Sequence, residues 1–140
     1  MKRIISFDTS VMFSLFLLGM LILFHGCILI GILFFDAIPT DFLWGGKMTS
    51  VSQLLNFEIV SLLTSSIFFF LLLIRSKWLN LPKLMGIARI AMWVVFFIFL
   101  LNTIGNLMAT NSFEKWFAIS TGVLSFLFLR IAIENNTNSI

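Results

Sequence analysis

Four long apolar runs, interrupted only near residues 36–50, 75–83 and 108–112, set the pattern of this chain. They cover residues 11–35, 51–74, 84–107 and 113–133, each near or above the roughly 20 residues that a helix needs to cross a bilayer core. Unbroken runs of this kind predict helices, because barrel strands are short and alternate between apolar and polar positions. The expected architecture is all-α, a polytopic membrane four-helix bundle forming a single transmembrane domain over residues 1–140.

The breaks carry helix punctuation. Ser50 followed by Gln53 has the capping-box spacing and predicts a helix start at Val51. Pro82 suits the first turn of the third helix, where its missing N–H costs nothing. Asn111, three residues before Glu114, suits the cap of the fourth.

Composition strengthens the membrane reading. The chain is 60% hydrophobic and 11% charged, with a mean hydropathy of +1.11 over 140 residues. A soluble domain this small could not bury so much apolar surface. Charge then sets orientation. Lys2, Arg3, Arg75, Lys77, Lys83, Arg89 and Arg130, seven of nine basic residues, fall on the side of the termini, and Lys47 and Lys115 on the other. Positive charge stays inside, so both termini are expected in the cytoplasm and the protein in the inner (plasma) membrane. Topology thus explains the net charge of +3 without nucleic acid. Arg75, Lys77 and Lys83 are also placed to meet anionic lipid heads. Lys2-Arg3 before an apolar run resembles a secretory signal, but Phe24, His25 and the apolar stretch after Cys27 favour an uncleaved first span.

Few polar residues lie at membrane depth. Glu58 stands roughly 10 Å below the start of the second span, with Ser61 and Ser65 on the same face. Such an ionisable residue is expensive in lipid and is expected to face protein or a wet cavity. Asn102 and Asn106, four apart on the third span, lie at a similar depth, and Thr121 of the fourth falls nearby. His25, on the first, is deeper. All four spans therefore place polar groups in the outer half, while the inner halves read as nearly pure Leu, Ile and Phe. Glu58, Asn102, Asn106, His25 and Thr121 are the candidates for ligand or proton binding. They have no metal-ligand spacing, so no metal or cofactor is expected, nor is a catalytic residue. Gly19, Gly26, Cys27, Gly31 and Gly105 are expected to let helices approach closely. The outer loop carries Asp41, Trp44, Gly45 and Gly46, an interfacial anchor or a lid.

Asp41-Phe-Leu-Trp-Gly-Gly46, Phe57-Glu58 and Leu101-Asn-Thr-Ile-Gly-Asn106, followed by Phe113-Glu114-Lys115, resemble a pattern in small uncharacterised bacterial four-span inner-membrane proteins. The resemblance spans most of the chain and implies the fold; that group has no known activity. The leading expectation is a non-enzymatic homo-oligomeric module, or a subunit docked on a membrane-protein partner, with a polar outward-facing layer in the lipid bilayer. A proton- or cation-coupled transporter or channel using Glu58 is the alternative. A lipid- or quinone-handling membrane enzyme comes third, for want of a catalytic pair.

Overall fold

The computed structural model describes residues 4–35, 50–110 and 112–134. These form α1 (Phe7–Phe35), α2 (Val51–Arg75), α3 (Met85–Leu107) and α4 (Ser112–Ala132), with a 3-10 turn at Pro82–Leu84 leading into α3. All four helices are long and apolar enough to cross a membrane. With no strand among the described residues, the protein is a helical membrane bundle. Neighbours in sequence pack against each other and α1 also packs on α4, which closes the ring. The most extensive seam is α3 on α4, and the next is α1 on α2.

Local chemistry explains the helix ends. Ser50 is the N-cap of α2, its hydroxyl accepting the Gln53 N–H at 3.2 Å. At the other end of α2, Lys77 takes a left-handed φ of 61° and donates its N–H to the Ile74 carbonyl, ending the helix in the manner of an αL cap. Pro82 opens the 3-10 turn, so the α-helical hydrogen bonding of α3 starts only at Met85. α1 starts at Phe7, earlier than its apolar run. Ser6 Oγ accepts the Thr9 N–H at 3.0 Å and also bonds the Thr9 hydroxyl at 2.7 Å. That cap stabilises a polar first turn which hydropathy excludes from the span. Asn111 and its expected cap lie outside the described residues, as does the loop with Asp41, Trp44, Gly45 and Gly46.

The core is eccentric. Val11, Leu18, Leu72, Met92, Leu124 and Phe128 form one cluster drawn from all four helices, at the end that holds Ile5 and Glu134. Phe99 and Phe128 stack there at 5.9 Å with 15° between planes. Near the other end, by Ser50 and Leu107, the buried apolar cluster among the described residues shrinks to Ile32 and Leu54, between α1 and α2. These are called below the terminal end and the loop end.

The terminal end departs from the expected pure Leu, Ile and Phe. Ser10, Ser14, Arg75, Arg130 and Glu134 are all buried there. Arg130 Nη1 lies 2.7 Å from Glu134 Oε2, and Arg130 Nε donates to the Ile5 carbonyl at 2.9 Å. Arg75 Nη2 donates to the Glu134 carbonyl at 2.6 Å, with its guanidinium 5.0 Å above the Phe7 ring. Arg75 is only 2% exposed, which corrects its expected place among lipid heads. Its planar fork reaches a backbone carbonyl and a ring face inside the protein, where a solvated ammonium would not settle.

Candidate functional site: a cavity around His25 and Glu58

A cavity of about 370 Å³ occupies the loop-end half, between all four helices. Its position follows from the eccentric core: side chains that fill the terminal half give way to Ser61, Thr64, Ser65 and Thr121, too short to meet across the middle. α2 supplies Glu58, and Ser61 and Ser65 line the same cavity, as their spacing requires. α1 supplies His25, α3 supplies Asn102 and Asn106, and α4 supplies Glu114 and Thr121. The five polar residues singled out from the sequence, Glu58, Asn102, Asn106, His25 and Thr121, thus share one cavity wall.

Their surroundings differ. Glu58 is 1% exposed, whereas Asn102 is exposed and Asn106 half-buried. His25 Nδ1 lies 2.6 Å from Glu58 Oε2, bridging α1 and α2. At that distance a proton must lie between the two atoms, on one or the other. If the second ring nitrogen also carries a proton, the pair is neutral; if that proton leaves, the pair is an anion. The two side chains can therefore share one proton across the contact between α1 and α2.

Thr121 has another role as well. Its hydroxyl donates to the Phe117 carbonyl at 2.9 Å and accepts from Thr103 Oγ1 at 3.1 Å, tying α4 to α3. Ser125 donates to the Phe96 carbonyl on the same seam at 3.4 Å. Between them lies Gly122, where an added Cβ would stand 3.5 Å from Thr103 Cγ2. This is the close helix approach within the chain, and it falls at a glycine that the small-residue spacings did not single out. Gly19 approaches the Phe69 ring of α2, with 4.0 Å to a built Cβ, and Gly31 is half-buried. Gly26 and Gly105 have open space where a Cβ would stand, and Cys27 is exposed. Among the described residues, no side chain packs against Gly26 or Gly105 within the chain.

Sequence reasoning also missed the pairing of His25 with Glu58. The sequence places His25 deeper than Glu58 and groups both among the ligand or proton candidates, without a contact between them. The available signal was depth: both stand well inside their helices, and a lone imidazole and a lone carboxylate buried in one bundle favour each other as partners. Arg75 and Arg130 as buried groups were missed because sidedness alone accounts for basic residues at that end.

Among the described residues, no group of three or more His, Cys, Asp or Glu stands close enough to hold a metal ion. Fold and cavity together define the class: a small integral membrane protein, a four-helix bundle with a largely apolar cavity in one half that His25, Glu58 and a few other polar side chains also line. No family model, curated protein or solved structure matches the chain.

Proposed function

We propose that this protein is a small proton-coupled transporter of the cytoplasmic membrane, with the His25–Glu58 pair as its proton-binding element. The observation that carries the reading is the 2.6 Å contact between His25 Nδ1 and Glu58 Oε2 on the wall of a 370 Å³ cavity. Polar networks that only glue helices fill their own space. This pair adjoins space that a ligand could occupy, and intramembrane ionisable residues facing a cavity mark ion and proton pathways. Both termini face the cytoplasm in this reading, because the basic residues gather at the terminal end. The cavity then faces outward. The sequence resemblance to small bacterial four-span membrane proteins supports the same cellular setting.

The test is reconstitution in liposomes with a trapped pH indicator and an imposed proton gradient. Wild-type protein is expected to carry a flux that depends on pH. Glu58→Gln, which keeps the shape and a hydrogen bond to His25, is expected to abolish it. A full flux in the Gln variant overturns the reading. A tag at the C-terminus accessible only from the periplasm would overturn the orientation.

Assembly into a homo-oligomer is the second reading, favoured by the open space at Gly26 and Gly105 and the exposure of Cys27. Small residues on an uncovered helix face are where a second membrane helix packs closely. Crosslinking through Cys27 in native membranes tests it: an efficient disulfide-linked dimer supports assembly through α1, and a strictly monomeric chain contradicts it.

A further inference from the structure

The cavity wall has a definite charge. α1 contributes His25, α2 Glu58 and α4 Glu114, while α3 contributes only the carboxamides Asn102 and Asn106. Among the described residues, no Lys or Arg lines it. The described wall thus bears two carboxyl groups, Glu58 and Glu114, which suit a positive ligand better than an anionic one. A positive one would take the place of a proton.

The remaining wall is aromatic. Phe24, Phe57, Phe68, Phe99, Phe113 and Phe117 line the cavity. Phe117 touches both Phe24 and Phe113, with ring centroids 5.2 Å apart in each case. Phe24 also meets the His25 ring edge at 5.6 Å. Ring faces attract a cation within about 6 Å and are the usual means of holding quaternary ammonium groups. A hard metal cation instead needs about six to eight converging oxygens, which phenyl walls do not provide. The volume, 370 Å³, sits near the lower end of the roughly 300–1,000 Å³ of small-molecule sites.

From these observations we infer that the cavity takes a compact lipophilic organic monocation, bound in exchange for the proton of the His25–Glu58 pair. The inference rests on the proposed function and names the substrate class for the same site. Charge balance gives the exchange its sense. The two-proton pair is neutral; one-proton pair plus monocation is neutral again. The pair together with its ligand is therefore neutral in both loaded states, so the exchange leaves the charge beside Glu58 unchanged. Linkage makes the competition reciprocal: the cation expels the proton by the same factor as the proton weakens the cation.

The experiment uses the full chain in detergent, titrated with benzyltrimethylammonium in weak buffer containing a pH indicator. Its neutral isostere neopentylbenzene and the anion phenylacetate are titrated in parallel. The expected result is saturable binding of the cation with release of up to one proton per site. Its Kd is expected to rise about tenfold per unit fall in pH while the pair is doubly protonated, reflecting exchange of one proton. The neutral compound and the anion are expected to release none. Phe117→Leu should weaken the cation without removing the pair's own proton uptake. Equal binding of the neutral compound, or no cation binding while pH-dependent uptake by the pair persists, overturns the inference alone. Loss of that uptake from a folded wild-type protein overturns the proposed function with it.

Discussion

Both halves of this bundle bury ionisable side chains, and they do so to different ends. At the terminal end, Arg130 meets Glu134 and the Ile5 carbonyl, while Arg75 meets the Glu134 carbonyl and the Phe7 ring. Immediately beside them lies the packed cluster of Leu18, Leu124 and Phe128. The charges there tie the start of α1 to the ends of α2 and α4, beside closely packed side chains. At the loop end, His25 and Glu58 also meet across two helices, but beside a 370 Å³ cavity. A buried ionic contact is therefore no guide to function until the space around it is known. Filled space marks a fastening, and open space marks a site.

The largest effect expected from breaking that contrast is in the packed half. Phe128→Ala removes a fully buried ring that stacks on Phe99 and should cost about 3–5 kcal/mol, from the lost contacts and the void left behind. The corresponding change in the open half, Phe113→Ala, removes a ring that is 41% exposed and packs on Phe117, and should cost no more than about 1.5 kcal/mol. Thermal or denaturant unfolding in detergent, followed by helical circular dichroism, reads both. Equal losses would erase the distinction between the halves.

Arg130→Ala comes next. It removes the guanidinium that Glu134 and the Ile5 carbonyl share, and breaking such a buried pair costs about 3 kcal/mol. Glu58→Gln in the other half should cost less than about 1 kcal/mol, because the amide still hydrogen-bonds His25. If Glu58→Gln instead proves the more destabilising of the two, the loop-end pair is a fastening as well.

Smaller effects separate the α3–α4 seam from the cavity it borders. Thr121→Val removes the hydroxyl that links Thr103 to α4 and should cost about 1 kcal/mol. Gly122→Ala places its Cβ in ordinary contact with Thr103 and should be within about 0.5 kcal/mol of wild type. Gly105→Ala, in open space, should stabilise the isolated chain by up to about 1 kcal/mol through helix propensity. A marked loss at Gly105, together with dissociation of an oligomer, would show that a second chain covers that face.

Much of the fold could be read from the sequence, because bilayer thickness imposes a length that apolar runs either meet or fail. The Ser50 cap was equally plain, since its chemistry is local. The layer of polar residues on one half of the spans was visible as depth along each helix. Which of them face each other was not. α1 is apolar nearly all round, so no stripe marks the face that carries His25 toward Glu58. Sidedness predicted where Arg75 and Arg130 lie along the membrane normal but not that they turn inward. A guanidinium folds inward only when carbonyls and a carboxylate from distant parts of the chain converge on it, and Ile5 and Glu134 are far apart in sequence. Gly122 escaped notice for a related reason: what makes a glycine a contact point is the side chain opposite, here Thr103.

The central claim is that the His25–Glu58 pair holds and releases one proton beside open space. Its most direct test is infrared difference spectroscopy of the purified protein across a pH step, paired with proton counting by indicator dye. The account predicts one proton taken up per chain as pH falls, with carboxyl or imidazole bands that vanish in both Glu58→Gln and His25→Gln. Uptake and bands unchanged in either folded variant would contradict it.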